Sequence, residues 1–496
     1  MRCIALAQAW QDRGGNVTFL SHCDNETLRK RIIDEDFDFI PIEKPHPDPS
    51  DIIQTLNLLK RHALCPMPSA PQWLALDGYH FSPDYQKIIR ENGYKLLVID
   101  DMAHLDHYHA DILLNQNIHA SSLHYSYDRD TVKLLGCEYA LLRREFLKYK
   151  GWKRKIPEKA RRILVTLGGA DPDNVTLKVV ETLNILNTSD IEVKIVVGPS
   201  NPHKELLINA MRHAPCAMRL LHNVSNIPDL MIWADLAISA GGSTCWEMAF
   251  MGLPNLIITI SDNQADIAKG LGKVGVSIDL RRHEDISIKQ FSRQLEGILQ
   301  NKNKRQKMSG NGQKLINVQG TQKIMGTMFA RQIMLRRTKE IDCELLWNWA
   351  NDPEVRQSAF NSKSIAWEDH QSWFIKKQNN PDCVQYIALN SQDVPVGQIR
   401  FDIKDSVAEI DYSIDKEFRD MGLGRMLLKM GSELLCEQEE NPLSIQGCVK
   451  KENEPSNRSF RGAGCFEATE KAIDENDVSN SHTIYQFRVS PTKKLG

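Results

Sequence analysis

Two glycine-rich segments of the chain have residue types and spacings that can hold a phosphate group. The first is Ser239-Ala-Gly-Gly-Ser-Thr-Cys-Trp-Glu247 in the middle of the chain, and the second is Arg419-Asp-Met-Gly-Leu-Gly424 near its end. Glycine lets the backbone approach an anion closely, and the first turn of a following helix offers unpaired N–H groups. The sequence therefore predicts two sites for phosphate-bearing ligands.

The first segment carries polar side chains around its glycines. Ser243 and Thr244 can donate hydroxyl hydrogen bonds, and Glu247, one helical turn further on, can accept from ribose hydroxyls. A pair of glycines alone is more often a tight turn between a strand and a helix. The neighbouring Gly252-Leu-Pro254 and Asp262-Asn263-Gln264 favour a nucleotide site instead.

Composition limits the classes of protein that remain. A chain of 496 residues with 41% hydrophobic content is long enough for about three domains. A net charge of -2 disfavours a nucleic-acid or anionic-membrane partner, and no apolar run is long enough to span a membrane. The 11 cysteines show no zinc-type spacing with histidines, so we expect a cytoplasmic protein without a metal.

Alternating apolar stretches and glycine turns predict two α/β blocks. In the first block a helix at residues 1–10 comes before the strands at 16–21 and 95–100, although Rossmann-like domains normally open with a strand. In the second block, strands at 162–167 and 236–239 both run into glycine turns. We expect ligands at such turns, where the strands of an open parallel sheet end.

Further motifs, most of them in the first block, give the chain a family resemblance. They are Asp77-Gly-Tyr79, Asp100-Asp101, Ala110-Asp-Ile-Leu-Leu-Asn-Gln-Asn117, Tyr139-Ala-Leu-Leu-Arg143 and Gly168-Gly-Ala-Asp-Pro172. With the middle segment, they resemble the nucleotide-sugar hydrolases of pseudaminic acid biosynthesis, which have the glycosyltransferase-B arrangement of two Rossmann-like domains. The resemblance extends from Met1 to about residue 325.

The resemblance implies a reaction and a set of residues. In that family, water attacks the anomeric carbon of a UDP-linked 2,4-diacetamido-2,4,6-trideoxy-altrose, UDP leaves, and no metal is implied. Tyr79 would lie near the reacting centre, although it could equally be a packing tyrosine. The residues implied to bind the UDP-linked sugar are Gly169, Ala240, Gly241, Gly242, Ser243, Thr244, Glu247, Asn263 and Gln264.

One family feature is expected before the first residue of this sequence. The family begins with a strand and a Gly-x-Gly-His-x-x-Arg-Cys segment, and Arg2 and Cys3 align with its last two residues. The histidine that would act as the general base therefore falls upstream of Met1, and without it we expect hydrolysis to be nearly silent. The candidate substitutes are His80, His104, His107 and His109, although surface or packing roles are commoner for histidine.

The end of the chain resembles a different family. Strands predicted at residues 385–389, 396–401 and 408–414 lead to the Arg419–Gly424 segment and a helix at 425–436, as in the acetyl-CoA site of Gcn5-related N-acetyltransferases. An Asn453-x-x-Ser456 helix follows in the family's order. The residues implied to bind acetyl-CoA are Ile414, Arg419, Gly422, Leu423, Gly424, Arg425, Asn453, Ser456 and Phe460.

The acetyltransferase chemistry is less clearly assigned. Phe460 occupies the position where many family members have a tyrosine that protonates the departing thiolate, and phenylalanine has no proton to give. Tyr412 or Tyr485 could replace it. His370 and Glu409 are candidates for helping to deprotonate the amine.

The segment from Leu335 to Phe374 resembles the acetyltransferase of the same pathway, which acts on the 4-amino group of a UDP-linked amino sugar. We therefore predict domains at 1–155, 156–328 and 334–496: two α/β Rossmann-like domains in the glycosyltransferase-B arrangement, and an α+β acetyltransferase domain. The predicted function is acetyl-CoA-dependent N-acetylation of the UDP-amino sugar followed by hydrolysis.

The alternatives are an acetyltransferase fused to an inactive nucleotide-sugar binding module, and a fusion that acts on another UDP-amino sugar.

Overall fold

A computed structural model gives the fold of the chain. It describes residues 1–44, 46–63, 72–169, 171–186, 189–198, 201–212, 214–222, 224, 226–330, 333–390, 393–419, 422–438, 444–471 and 482–487. These residues fall into two compact units, the first within Met1–Pro66 and Gln72–Gln322 and the second within Lys323–Gly496.

The first unit begins with a helix, as predicted, and continues into two small parallel sheets. Its elements are α1 (Arg2–Gln11), β1 (Thr18–Ser21), α2 (Glu26–Ile33), β2 (Asp38–Pro41), α3 (Ser50–Ala63), β3 (Trp73–Asp77), α4 (Pro83–Glu91), β4 (Lys95–Ile99), β5 (Ile112–Asn115), β6 (Val132–Leu135) and α5 (Arg144–Leu147). β1 pairs with β2, and β3 to β6 pair in chain order. α1 contributes Ile4 and Ala7 to a small core with Ile32 and Phe37.

A larger parallel sheet occupies the rest of the first unit. Its elements are β7 (Arg162–Thr166), α6 (Val175–Asn184), β8 (Glu192–Val197), α7 (Lys204–Met211), β9 (Ala217–His222), α8 (Ile227–Trp233), β10 (Leu236–Ala240), α9 (Thr244–Phe250), β11 (Asn255–Thr259), α10 (Ala265–Lys273), β12 (Ser277–Arg282), α11 (Ile288–Gln300), α12 (Lys302–Leu315) and α13 (Gln319–Ala330). Every residue of β10 and β11 is buried, as expected for inner strands covered on both faces.

The order of these strands identifies where a ligand would bind. The sheet runs β12-β11-β10-β7-β8-β9, so the chain moves outward from β7 to β9 and then returns to the other side of β7 with β10. Open parallel sheets bind ligands beyond the strand ends at such a reversal. The loops at this point begin with Gly168 and Gly241, two of the predicted glycine turns.

The second unit is built on a mixed sheet. Its elements are β13 (Met334–Arg337), α14 (Cys343–Ala350), α15 (Pro353–Ser358), α16 (Trp367–Gln378), β14 (Cys383–Leu389), β15 (Pro395–Lys404), β16 (Val407–Ile414), α17 (Leu423–Gln438), β17 (Ser444–Lys450), α18 (Glu454–Gly462), β18 (Phe466–Lys471) and β19 (His482–Phe487). The strand order is β13-β14-β15-β16-β17-β19-β18, antiparallel except between β16 and β17. Leu427 and Leu428 of α17 pack on Ile399 and Phe401.

The elements predicted from the apolar pattern are confirmed in both units. The strands expected at 162–167, 236–239 and 408–414 are β7, β10 and β16, and the helix expected at 425–436 is α17. The division between residues 1–155 and 156–328 remains a prediction. Among the described residues, no helix combines the length and apolar character needed to cross a membrane.

Candidate functional site

The loop between β10 and α9 leaves backbone open for a ligand at one of its two glycines. The Gly241 N–H donates to Gln264 Oε1 at 3.1 Å, and a Cβ added at Gly241 would lie 2.9 Å from the Cβ of Gln264. A Cβ at Gly242 would meet no atom within 4 Å. Gln264 therefore shapes the loop, whereas Gly242 exposes backbone next to the hydroxyls of Ser243 and Thr244.

Glu247 is held by an arginine from a distant part of the chain. Arg143 donates from Nε to Glu247 Oε1 at 2.7 Å and from Nη2 to Oε2 at 3.0 Å, and both side chains are largely buried. A bidentate pair of this kind fixes the carboxylate plane. Each carboxylate oxygen has a second lone pair, so Glu247 can still accept from a ribose hydroxyl.

Two predicted site residues from opposite parts of the first unit are brought together. The Tyr79 hydroxyl donates to Asp101 Oδ2 at 2.7 Å and accepts from Asn263 Nδ2 at 2.8 Å. Burial, with the hydrogen bond to Asp101, raises the pKa of Tyr79 to about 12, so the phenol stays protonated at neutral pH. Tyr79 keeps 41% of its surface exposed, which leaves its ring open to a ligand.

An arginine at the start of α1 organises the carboxylates beside Tyr79. Arg2 donates to Asp77 at 2.6 Å and to Asp101 at 2.8 Å, and Asn117 Nδ2 donates to Asp101 at 2.7 Å. Burial alone would raise the pKa of Asp101, but the hydrogen bonds and charge of Arg2, with those from Tyr79 and Asn117, hold it below its usual value. Asp77 and Asp101 are therefore anionic, and both accept hydrogen bonds from Arg2.

The glycine turn after β7, at Gly168 and Gly169, makes contacts that stabilise the fold. Gly168 has a φ of +95°, and a Cβ at Gly198 would lie 2.0 Å from the carbonyl oxygen of Gly169, so Gly169 packs directly on the neighbouring loop. Asp171 accepts from the backbone N–H groups of Val175 and Thr176 and caps α6. Ala170, within the predicted motif, lies outside the described residues.

In the second unit, two neighbouring parallel strands separate beside the predicted cofactor loop. β16 and β17 are paired over Val407–Glu409 and Ser444–Gln446, and beyond these residues the register between them ends. The remainder of β16 leads through Ile414 towards Arg419 and Gly422. Beyond Glu409 and Gln446 the two strands no longer pair with each other, which gives an extended ligand room between their backbones.

The side chain of Arg419 secures the cofactor loop. Arg419 donates from Nε to the Ile414 carbonyl at 3.2 Å, from Nη2 to Asp352 at 2.7 Å and from Nη1 to Glu354 at 2.8 Å. Gly422 has a φ of +76°, which favours glycine. Asp420 and Met421, within the predicted loop, lie outside the described residues.

The first turn of α17 packs closely on α18. A Cβ added at Gly424 would lie 2.9 Å from Ser459 Oγ and 3.2 Å from the ring of Tyr412. The Tyr412 hydroxyl lies 3.1 Å from Ser456 Oγ, and burial raises the pKa of Tyr412. Tyr412 thus lies between the predicted cofactor loop and the predicted Asn-x-x-Ser helix.

The remaining cofactor residues have clear structural contacts. Asn453 caps α18 by accepting from the Ser456 N–H at 3.2 Å, and Leu423 is buried in the core. Phe460 stacks on Tyr485 with ring centroids 5.1 Å apart. The Arg425 side chain lies against Gly462, where an added Cβ would be 3.0 Å from Arg425 Cδ.

The predicted catalytic residues of the second unit lie in different environments. His370 is buried, its Nε2 lies 3.1 Å from the Cys343 carbonyl oxygen, and burial lowers its pKa. The Tyr485 hydroxyl is buried and donates to Asn457 Oδ1 at 2.9 Å. Glu409 is exposed at the point where β16 and β17 separate.

Several residues that complete the sites were not singled out from the sequence as site residues. They are Arg2, Asp77, Asp101, Asn117 and Arg143 in the first unit, and Asp352 and Glu354 in the second. Most of them stand in motifs that carry the family resemblance. The motifs do not show their pairing, because each partner is distant in sequence.

The matches to protein families define the class of this chain. Residues 162–324 match the glycosyltransferase family 28 C-terminal domain, and residues 332–465 match the acetyltransferase (GNAT) domain. With the sheets described above, these matches confirm the predicted fold class, a glycosyltransferase-B-like α/β region followed by an α+β acetyltransferase domain. The chain thus joins a region similar to glycosyltransferases to a region similar to GNAT acetyltransferases.

Individual relatives agree with this class. An uncharacterized protein of Methanocaldococcus jannaschii is 25% identical over 80% of this chain and 79% of its own length. A Bacillus subtilis spore coat polysaccharide biosynthesis protein is 26% identical over 33% of this chain and 49% of its own length.

A third relative supports the family resemblance that the sequence predicts. The Helicobacter pylori pseudaminic acid cytidylyltransferase and UDP-2,4-diacetamido-2,4,6-trideoxy-beta-L-altropyranose hydrolase is 26% identical over 47% of this chain and 41% of its own length. The chain thus spans about half or less of the last two relatives. The expected resemblance to the pseudaminic acid pathway hydrolase, joined to a GNAT domain, is confirmed.

Proposed function

We propose that the second unit transfers the acetyl group of acetyl-CoA to the 4-amino group of a UDP-linked amino sugar. The observation that carries this proposal is the separation of β16 from β17 beside the Gly422–Gly424 turn, within the GNAT match. The strand ends, which no longer pair with each other, would accommodate the extended pantetheine arm between them, and the turn can bring backbone N–H groups to the pyrophosphate. The amine attacks the thioester carbonyl, CoA leaves as the thiol, and the amine loses a proton.

We also propose that the first unit binds the UDP part of the same class of sugar. Gly242, Ser243 and Thr244 would contact the phosphates, Glu247 the ribose, and Tyr79 with Asn263 the sugar. The contact between Tyr79 and Asn263 supports this assignment because it places one residue after β3 and one after β11 at a single point. Ala240 and Gln264 would support the loop, and Gly169 would border the site from the end of β7.

Hydrolysis of the glycosyl–UDP bond is the second activity that we propose for this unit. Water would add to the anomeric carbon of the UDP-linked diacetamido-trideoxy-altrose while the bond to the phosphate oxygen breaks. The name of the Helicobacter relative supports this substrate. If acetylation precedes hydrolysis, the fusion raises the local concentration of the shared intermediate.

The polar groups around Tyr79 favour slow hydrolysis. Arg2 engages both Asp77 and Asp101, and the ring nitrogens of His104 lie 3.1 Å from Asp100 Oδ1 and 2.9 Å from the Tyr79 carbonyl oxygen. Among the described side chains in contact with Tyr79, both titratable groups already have polar partners: Asp101 accepts from Arg2 and Tyr79, and both ring nitrogens of His104 are hydrogen-bonded. Lack of a general base typically costs about 10²- to 10⁴-fold in rate.

The products of the full chain test both activities. With acetyl-CoA and a UDP-linked 4-amino sugar, we expect CoA release to exceed UDP release by at least about 100-fold, because amine acetylation is chiefly a matter of positioning, whereas the described titratable side chains beside Tyr79 are already hydrogen-bonded. Free CoA and free UDP are measured separately. Absence of CoA release would refute the acetyltransferase proposal, and UDP release as fast as CoA release would show that the geometry around Tyr79 supplies a base.

A glycine variant links CoA release to the proposed turn. Gly422→Ala places a methyl group on backbone that is open in the structure and would face the pyrophosphate, and we expect CoA affinity to fall by about 10-fold or more. Gly464→Ala is the matched control, because Gly464 also has positive φ, +90°, and open space. Equal CoA affinity in both variants, measured by calorimetry, would place the cofactor elsewhere.

Removal of two hydroxyls tests the UDP loop. Ser243→Ala/Thr244→Val keeps the shape of the loop and the Arg143–Glu247 pair, and we expect UDP affinity to fall about 10-fold or more through loss of hydrogen bonds to a charged phosphate. Ser292→Ala removes a hydroxyl from α11 as a control. Calorimetric titration with UDP that finds no difference between the two would move the nucleotide away from this loop.

A further inference from the structure

Two histidines and an aspartate form a cluster in the first unit, away from the groups described above. His107 Nε2 lies 3.0 Å and His109 Nδ1 lies 3.1 Å from Asp128 Oδ1, and one ligand atom from each residue falls within 4.8 Å of the others. Two imidazoles and one carboxylate are a ligand set typical of Zn²⁺ and related divalent ions. The sequence alone did not suggest it, because Asp128 is remote from the histidines.

The backbone holds these three side chains together. Tyr108 and Tyr127 form a parallel β-bridge, and the Tyr108 N–H donates to the Ser126 carbonyl at 2.9 Å. Tyr108 is buried, and its hydroxyl donates to Asp100 at 2.9 Å. Successive side chains of an extended segment point to opposite sides, so both histidines face away from Tyr108 and towards Asp128.

Hydrogen bonding around the cluster is compatible with a cation between His107 and Asp128. His107 Nδ1 lies 2.8 Å from Ser126 Oγ, which accepts a proton from Nδ1 in one tautomer of the ring and donates to Nδ1 in the other. In the first tautomer His107 Nε2 directs its lone pair at Asp128 Oδ1, and a cation between the two atoms would be coordinated by both. Tetrahedral zinc with bonds of about 2.0 Å separates its ligand atoms by about 3.3 Å, close to the distances found here.

The charges around the cluster leave room for a divalent cation. Arg90 donates to Asp128 Oδ2 at 3.0 Å and to Asp130 at 2.8 Å, and its Nε lies 3.5 Å from Asp111, which also accepts from Lys95 at 3.0 Å. Three carboxylates therefore face two cations. Arg90 orients Asp128 from its Oδ2 side and leaves Oδ1 directed at the imidazoles.

The position of the cluster separates it from the nucleotide-sugar groups. His107 and His109 precede β5 and Asp128 precedes β6, whereas Asp77 and Asp101 follow β3 and β4. Because these strands are parallel, the cluster lies at the end of the sheet where the strands begin, opposite the end where Asp77 and Asp101 lie. We propose that His107, His109 and Asp128 form a structural site for a zinc-class divalent cation that joins the segment before β5 to the segment before β6.

Zinc binding by the full chain, prepared without a histidine tag, tests the proposal. Equilibrium dialysis and elemental analysis should find an additional bound zinc in the native chain compared with the His107→Asn/His109→Asn variant. Losing an outer hydrogen-bond partner of a metal ligand typically weakens metal binding by about 10- to 100-fold. Losing two ligands should weaken zinc binding by more than that. His124→Asn, which changes an exposed histidine of the same segment, should bind as the native chain does.

A second measurement distinguishes a metal site from a network of ion pairs. Zn²⁺ should slow hydrogen exchange in β5 and β6 of the native chain and not of the double variant, and Mg²⁺, which prefers oxygen ligands, should not. If the double variant does not fold by circular dichroism, Ser126→Ala keeps all three ligands and should weaken zinc binding by about 10- to 100-fold. Unchanged zinc affinity and protection in these variants would overturn the site.

Discussion

Replacing Arg143 with methionine should lower the free energy of unfolding around β10 and α9 by about 3–5 kcal/mol, the usual cost of removing one partner from a buried ion pair. The Arg143 and Glu247 side chains are only 5% and 8% exposed, and both guanidinium bonds to Glu247 are short. The variant leaves the Glu247 carboxylate buried without its main donor. The loss thus reflects the unpaired charge more than the missing contact.

Native-state hydrogen exchange of the β10 amides measures this loss locally. The double variant Arg143→Met/Glu247→Leu should recover most of the stability, because apolar residues of similar volume remove both buried charges. Lys159→Met is the control, since the exposed Lys159–Asp190 pair contributes at most about 1 kcal/mol. A loss below about 1 kcal/mol for Arg143→Met would show that water or other groups satisfy Glu247.

The same double variant separates stability from ligand binding. If Glu247 contacts the ribose, the folded double variant should bind UDP weakly despite its recovered stability. If Glu247 only supports the loop, its UDP affinity should match that of the native chain.

The sequence predicts the inner strands of this fold best, because they are continuous apolar runs bounded by glycine turns. β10 and β11 are the clearest cases, since every residue in them is buried. β2 was missed because its residues are only partly buried and show no clear alternation. Where burial is incomplete, the hydrophobic pattern that identifies a strand is weak.

The candidate sites could be located from the sequence, but the partners within them could not. Glycine turns fix where backbone is exposed, so the loops after β10 and β16 are evident from local residues alone. Arg143 is 104 positions from Glu247, and Asn263 is 184 positions from Tyr79. Such pairings depend on how the whole chain folds, which no local motif specifies.

Arg419 shows how the structure changes the emphasis within a motif. The family resemblance implies that Arg419 binds acetyl-CoA, yet its guanidinium contacts Asp352, Glu354 and the Ile414 carbonyl. We infer that Arg419 holds the loop in place while the backbone near Gly422 and Gly424 meets the cofactor. The proposed UDP loop between β10 and α9 divides its roles in the same way. Gln264 holds Gly241 in place, whereas the backbone at Gly242 stays open.

Under the proposed acetyltransferase function, Phe460 has no proton to give to the departing thiolate of CoA, and we propose Tyr412 as the donor instead. Its hydroxyl lies near Ser456 on α18, and its ring packs beside Gly424 at the start of α17. Burial raises its pKa, so the phenol keeps its proton at neutral pH and can give it to a departing thiolate. Both hydroxyls donate to a neighbour, Tyr412 to Ser456 Oγ and Tyr485 to Asn457 Oδ1, but Tyr485 is fully buried whereas Tyr412 is only partly buried, so Tyr485 is less suited.

Tyr412→Phe should therefore lower the turnover rate for CoA release by about 100-fold while CoA affinity changes little. We expect the lower end of the usual general-acid contribution, about 10²- to 10⁴-fold, because a phenol with a raised pKa is a weak acid. Tyr386→Phe is the control, since it removes another buried hydroxyl of the same sheet, one that donates to Gln438. A large loss in Tyr485→Phe with none in Tyr412→Phe would reverse the assignment, because the proton would then come from the other side of the Phe460 ring.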